Sequence, residues 1–182
     1  QLLNLSNKKV ASIGTLGIRT KNNLKKISNT TLDPIRLSKI LNKLKKQKID
    51  NVIMEASSHG LKQNRLDGLK FNTAIFTNLT HDHLDYHKTF IDYLTSKLYL
   101  FEKLLKPRGT IITDSKIPEY RNLKKISLNN RFNLQVLSKG NNGIDIYSHQ
   151  FKDDKQIIEI THNRKHYKLQ TDLIGKIQLK NL

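Results

Sequence analysis

The chain has no cysteine and no tryptophan, only three prolines, and few acidic residues for its 182-residue length. Without cysteine there is neither a disulfide framework nor a thiolate metal site, and a reducing compartment fits easily. The hydrophobic share of 36% is low, yet the apolar residues gather into runs of a kind that disordered chains lack. No apolar run approaches the ~20 residues that span a bilayer, and nothing at the N-terminus resembles a signal peptide. A soluble, cytoplasmic, monomeric protein is the expectation. Fifteen Asp and Glu against 33 Lys and Arg leave a net charge of +18. Such a surface attracts polyanions. The lysines are spread, however, as in Lys25-Lys26, Lys43 to Lys48 and Lys124-Lys125. Aromatics make up 7%, too few for an interleaved stacking stripe. A solvated, compositionally biased surface is preferred over a nucleic-acid patch, and no nucleic-acid partner is expected.

The first half alternates strand and helix patterns. Lys8–Leu16 reads as a strand entering a glycine-containing turn. Pro34 suits the first turn of a helix to about Lys46, with Ile35, Leu37, Ile40, Leu41 and Leu44 as its apolar face. Asn51–Ala56 reads as a short buried strand and Phe71–Leu79 as another. A helix from about Thr89 to Leu105 should be stopped by Pro107 and Gly109, with a strand over Gly109–Asp114. This order predicts an α/β fold, a mainly parallel sheet flanked by helices. After about Ile126, alternating segments separated by Asn142-Gly143, Asp153-Asp154 and Asn163-Arg164 predict a small antiparallel β subregion of hairpins. The division expected is an α/β core over 1–125 and hairpins over 126–175.

Three places carry chemistry. Thr77–His87 follows a strand and holds three histidines and two aspartates within seven residues, an even choice between a polar loop and a metal or phosphate site. In Met54–Leu61, Glu55 ends an apolar strand, where Mg²⁺ coordination would offset the cost of a buried carboxylate and exposure to water would remove it. Ser57, Ser58 and Gly60 make a small-residue loop, with donors following at Gln63 and Arg65. On the helix from Thr89, Phe90, Leu94, Phe101 and Leu105 share one stripe, and Lys97 falls in its middle. That lysine either snorkels to the edge or carries a neutral or modified amine.

The strings Met54-Glu-Ala-Ser-Ser-His-Gly-Leu-Lys-Gln-Asn-Arg65 and Thr77-Asn-Leu-Thr-His-Asp-His-Leu-Asp-Tyr-His87, then Lys97, closely resemble the Mur ligase family. Within it they resemble the MurE branch, the UDP-N-acetylmuramoyl-tripeptide synthetases. Ala11–Gly17 and Asn29–Thr31 sit where that family has similar segments. The resemblance implies that the chain is part of the central, ATP-binding domain. It implies that Asn29, Thr30, Thr31, Ser57, Gln63 and Arg65 hold UDP-N-acetylmuramoyl-dipeptide, and that Glu55 and His83 bind Mg²⁺. Lys97 would be a carbamylated lysine supporting a second Mg²⁺, and Asn78 and Asn181 would contact ATP. The implied reaction activates the substrate's D-glutamate carboxylate as an acyl phosphate with ATP. An amino acid, diaminopimelate or lysine, then displaces phosphate to add the third residue of the peptide.

Departures accompany the resemblance. No G-x-x-x-x-G-K-[ST] loop occurs in the 182 residues, and near the end Ile177 and Gln178 stand where the family has Phe and Asn. An N-terminal substrate domain, the phosphate loop and a C-terminal domain are all expected to be absent, so the chain reads as a fragment inactive alone. Alternatives are a nucleic-acid-binding α/β protein, a metal-dependent phosphohydrolase built on the His/Asp loop, and a folylpolyglutamate synthetase-type ligase.

Overall fold

A computed structural model of the chain describes residues 3, 6–79, 85–137, 144–152, 154–162 and 164–172. Two compact units divide it: residues 1–70 with 81–104, and residues 71–80 with 105–182.

The first unit is built on a four-stranded sheet in the order β3-β2-β1-β4. β1 (Val10–Gly14) pairs antiparallel with β2 (Gly17–Thr20), which pairs antiparallel with β3 (Asn23–Lys25). On its other side β1 pairs parallel with β4 (Asn51–Met54). Val10, Ala11, Ile13 and Gly14 are buried, which fits a central strand. β4 lies at the sheet's edge and exposes Val52 and Ile53, so it is not the buried strand its apolar sequence suggested.

Helix α1 (Pro34–Lys46) starts where the Asp33 side chain accepts from the Arg36 N–H at 2.9 Å and Pro34 supplies a preset φ. It buries Leu37 and Leu44, while Ile35 in the first turn is 70% exposed, unlike the face expected of it. The segment expected as a small-residue loop is helical instead: α2 (Ser58–Lys62) begins at Ser57, whose hydroxyl accepts from the Gly60 N–H at 3.1 Å. α3 (Phe90–Lys103) is capped by Thr89 Oγ1, which accepts from the Asp92 N–H. Its buried residues are Tyr93, Ser96, Leu98 and Phe101, and Phe90 is partly exposed. The stripe drawn through Phe90 and Leu94 is therefore displaced toward Tyr93.

The second unit carries a parallel sheet in the order β5-β6-β7. β5 (Phe71–Phe76) pairs with β6 (Leu105–Asp114), and β6 pairs with β7 (Asn133–Leu137). α3 is capped at Leu104 and β6 starts at once, so Pro107 and Gly109 lie inside a strand rather than stopping the helix. The ladder absorbs them as an irregularity: Phe71 faces Leu105, but Thr73 already faces Thr110. The extra residues bulge out, with Arg108 at φ 59°. α4 (Tyr120–Asn130) buries Leu123 and Ile126 and ends on Arg131 at φ 55°. β8 (Ile144–Lys152), β9 (Lys155–His162) and β10 (Lys165–Thr171) form the predicted antiparallel sheet. Lys152 faces Lys155 and His162 faces Lys165 at the ends of these ladders. Asn142-Gly143 lies outside the described residues. Among the described residues no helix is long and apolar enough to cross a membrane.

Candidate functional site

β1 and β4 run parallel, and beyond their carboxyl ends the chain gathers its polar side chains, as sheets of this kind do with their ligand sites. Glu55 is the residue after β4. Its Oε2 accepts from the Thr15 N–H at 2.8 Å and from the Thr15 hydroxyl at 2.7 Å. The Thr15 hydroxyl also lies 3.1 Å from that of Thr30. A Cβ on Gly14 would fall 2.4 Å from Glu55 Cδ, so only glycine lets the carboxylate lie along β1. Glu55 is exposed, which removes the burial cost the sequence raised.

Thr31 is the hub. It is 2% exposed, and its hydroxyl donates to the Glu55 carbonyl at 3.1 Å. The same oxygen lies 2.9 Å from the Ser57 N–H that donates to it and 3.0 Å from the Ser57 hydroxyl. Gly60 packs directly on this side chain: its Cβ would meet Thr31 Cβ and Cγ2 at 2.6 Å. From the Thr31 carbonyl the network runs outward. Arg65 Nη1 donates to it at 2.7 Å, Arg65 Nε donates to Gln63 Oε1 at 2.8 Å, and Gln63 Nε2 donates to the Tyr86 hydroxyl at 3.0 Å.

Beyond Tyr86 the contacts become aromatic. Its ring lies 3.9 Å from that of His59 and edge-on to His87 at 5.0 Å. His87 is fully buried, stacks on Tyr93 at 4.9 Å, and places Nδ1 3.4 Å from Asp92 Oδ2. Asp92 is also paired with Lys62, and that hydrogen bond holds its carboxyl below the usual carboxylate range. Lys97, one helical turn past Tyr93, sets its Nζ 5.0 Å from that ring's centroid. A continuous series of contacts thus links Glu55 to Lys97 through Thr31, Arg65, Gln63, Tyr86, His87 and Tyr93, all within the first unit.

Of the residues singled out from sequence, Thr30, Thr31, Glu55, Ser57, Gln63, Arg65 and Lys97 belong to this series or touch it. Asn29 is exposed next to Thr30. Asn78 is exposed in the second unit, just past β5. His83 and Asn181 lie outside the described residues, as does the segment with Ile177 and Gln178. Among the described residues no three His, Asp or Glu gather as a metal cluster. Sequence reasoning passed over Thr15, Tyr86, Asp92 and Tyr93 as partners. A signal existed for Tyr93 alone, four residues before Lys97.

Known proteins match the chain along its whole length. The family described as the Mur ligase middle domain matches residues 1–182. The UDP-N-acetylmuramoyl-L-alanyl-D-glutamate--2,6-diaminopimelate ligase of Rickettsia conorii is 38% identical over 187 residues, covering all of this chain and 39% of that protein. The chain thus spans about two fifths of the length of such relatives. A solved structure of a ligase of the same name superposes with a TM-score of 0.85 at 26% identity, over 99% of this chain and 37% of the other. A folylpolyglutamate synthetase in complex with AMPPCP shares the fold, with a TM-score of 0.67 at 10% identity over 99% of this chain and 51% of the other.

Proposed function

The chain belongs to the Mur ligase middle-domain family, and we propose on that premise that it is the central part of an ATP-dependent amino-acid ligase of peptidoglycan synthesis. Its acceptor is UDP-N-acetylmuramoyl-L-alanyl-D-glutamate and its incoming amino acid is diaminopimelate, the pair named in its relatives. The observation that carries the reading is the hydrogen-bonded group of Thr31, Ser57, Gln63 and Arg65 beside Glu55 at the end of β4. A guanidinium has five donors in a rigid fork. Two of Arg65's are engaged among the described residues, and both fix its plane. The others suit a carboxylate of the muramoyl-dipeptide, and the Gln63 carboxamide suits its amide and hydroxyl groups.

Mg²⁺ fits the residues present. Among the described residues both hydrogen bonds to the Glu55 carboxylate fall on Oε2, and the carboxylate occupies the space that Gly14 leaves open. An exposed carboxylate presented this way suits a hard cation. Glu55 and His83 would hold Mg²⁺, Lys97 as a carbamate would support a second, and Asn78 and Asn181 would serve ATP. Bound together, these supply phosphate-charge neutralisation and the phosphoryl group that turns the D-glutamate side-chain carboxylate into an acyl phosphate. The chain's own contribution is orientation. Thr15 fixes Glu55 through two donors, and Thr31 ties the end of β4 to the start of α2.

The test is a chimera in which these 182 residues replace the matching part of the Rickettsia conorii ligase. Amide formation dependent on ATP and diaminopimelate is expected, and Lys97→Ala should remove most of it, with partial recovery on adding a short carboxylate. A folded chimera with no such activity beside an active parent would refute the reading.

A further inference from the structure

Two adjoining cavities open on the face made by α1 and the β2–β3 hairpin, with volumes of about 630 and 440 Å³. They share Ile18, Lys25 and Ile40, so they form one continuous depression. Its chemistry is one-sided. Eight of the twenty-one lining residues are Lys or Arg and none is Asp or Glu, about twice the basic share of the whole chain, which has 33 in 182. Arg36, Lys39 and Lys43 are exposed on α1 at three- and four-residue spacing, a basic stripe along one helix face. Lys8, Lys9, Lys21 and Lys25 approach from the strand and hairpin side. Beneath them lies an apolar floor of Val10, Ile18, Ile40 and Leu44.

The smaller cavity runs on to Ser28 and Leu32, which flank Asn29–Thr31 of the site at the carboxyl end of β1, whereas the larger one opens at that strand's amino end. Its floor includes Val10, the first residue of that strand, whereas Glu55 packs at Gly14, the last. Four residues of strand separate the two ends by about 13 Å. The larger cavity alone falls in the size range of small-molecule pockets. Several lysines around a concave apolar floor suit a ligand that is anionic at one end and flat or apolar at the other. No Phe, Tyr or Trp lines either cavity, so the platform on which successive bases of a single strand stack is missing.

We infer that the α1 and β2–β3 face is a second binding site, one for a nucleoside polyphosphate, distinct from the proposed ligase centre. The polyphosphate lies among Lys8, Lys9, Lys21 and Lys43, and the nucleoside covers Val10, Ile18 and Ile40. This does not depend on the ligase reading, because it uses none of that centre's residues.

The 182-residue chain is titrated with inorganic tripolyphosphate and with GTP at about 150 mM salt, where long-range surface attraction is largely screened. Both should bind, with GTP the tighter because it alone covers the apolar floor. Lys9→Glu/Lys43→Glu should weaken both by about tenfold or more. Lys152→Glu/Lys165→Glu, an equal change of net charge on exposed residues of the second unit, should leave binding unchanged. Lys21→Gln, milder and on the hairpin tip, should weaken it by an intermediate factor, which guards against a misfolded double variant. Equal losses in the two double variants, no binding at that salt, or an oligonucleotide that binds without competition from tripolyphosphate would each overturn the inference.

Discussion

Replacing Gly14 by alanine isolates how the carboxylate of Glu55 is held. Gly14 does not have a positive φ, so alanine costs nothing in backbone strain. The new methyl would fall 2.4 Å from Glu55 Cδ and 2.6 Å from Oε1, closer than real contacts allow, so something must move. The side chain of Glu55 is flexible and exposed, and swinging it away is the cheapest escape. That motion breaks both bonds from Thr15 to Oε2, at 2.8 and 2.7 Å. Each such bond contributes about 1 kcal/mol net where water can replace the partner, so Gly14→Ala should cost about 1–2 kcal/mol. Glu55→Ala removes the same two bonds and should cost a similar amount. The double variant has neither clash nor bonds left to lose, so it should be no less stable than Glu55→Ala alone, a coupling of about 1–2 kcal/mol. Urea unfolding of the four proteins at constant m measures all three differences. Strict additivity, or a neutral Gly14→Ala, would refute this account of the Glu55 position.

Thr31→Val should cost about 2–3 kcal/mol in the same assay, because a buried hydroxyl serving Glu55 and Ser57 is lost and the Ser57 N–H loses its acceptor; Thr31→Ser should recover most of it. Gly60→Ala should be worse than Gly14→Ala, because its methyl meets the Cβ and Cγ2 of a buried Thr31, which have nowhere to go. The depressed carboxyl of Asp92 contributes stability that is present above its ordinary value of 3.8 and lost as pH falls through its lower folded value. Lys62→Met should raise that titration toward 3.8, read from the Asp92 side-chain carbon by NMR. Tyr99 shifts the other way. Its hydroxyl donates to Asp67, which raises its titration above 10, so its contribution is complete below 10 and disappears as pH rises past the folded value; Asp67→Asn should lower the midpoint seen in ultraviolet absorbance.

Elements that announce themselves by local pattern were legible in the sequence. Val10–Gly14, α1 with its Pro34 start, and the alternating strands β8, β9 and β10 all lie where periodicity and turn chemistry placed them. The elements that escaped depend on partners far along the chain. β3 is exposed at all three residues and has no alternation to read. α2 has five residues, and its cap, Ser57, is tied by its N–H and hydroxyl to Thr31, 26 positions away. α4 buries little beyond Leu123 and Ile126 in a polar sequence. β7 alternates like the hairpins that follow it, yet pairs parallel with β6; alternation reports that a strand has two faces, not which strand lies beside it. The site divides the same way. Glu55, Ser57, Gln63 and Arg65 stand out through a family resemblance in one short string. The ties among them run through Thr15, Thr31 and Tyr86, and only folding brings those within hydrogen-bond reach.

The most direct measurement is a titration of the isotope-labelled chain with UDP-N-acetylmuramoyl-L-alanyl-D-glutamate, followed residue by residue by NMR. Resonances of Thr31, Ser57, Gln63 and Arg65 should move together and saturate, and an Arg65→Lys chain, with no rigid fork, should respond weakly. Saturable shifts elsewhere with these four unmoved, or no response at all, would contradict the assignment of this cradle to the muramoyl-dipeptide.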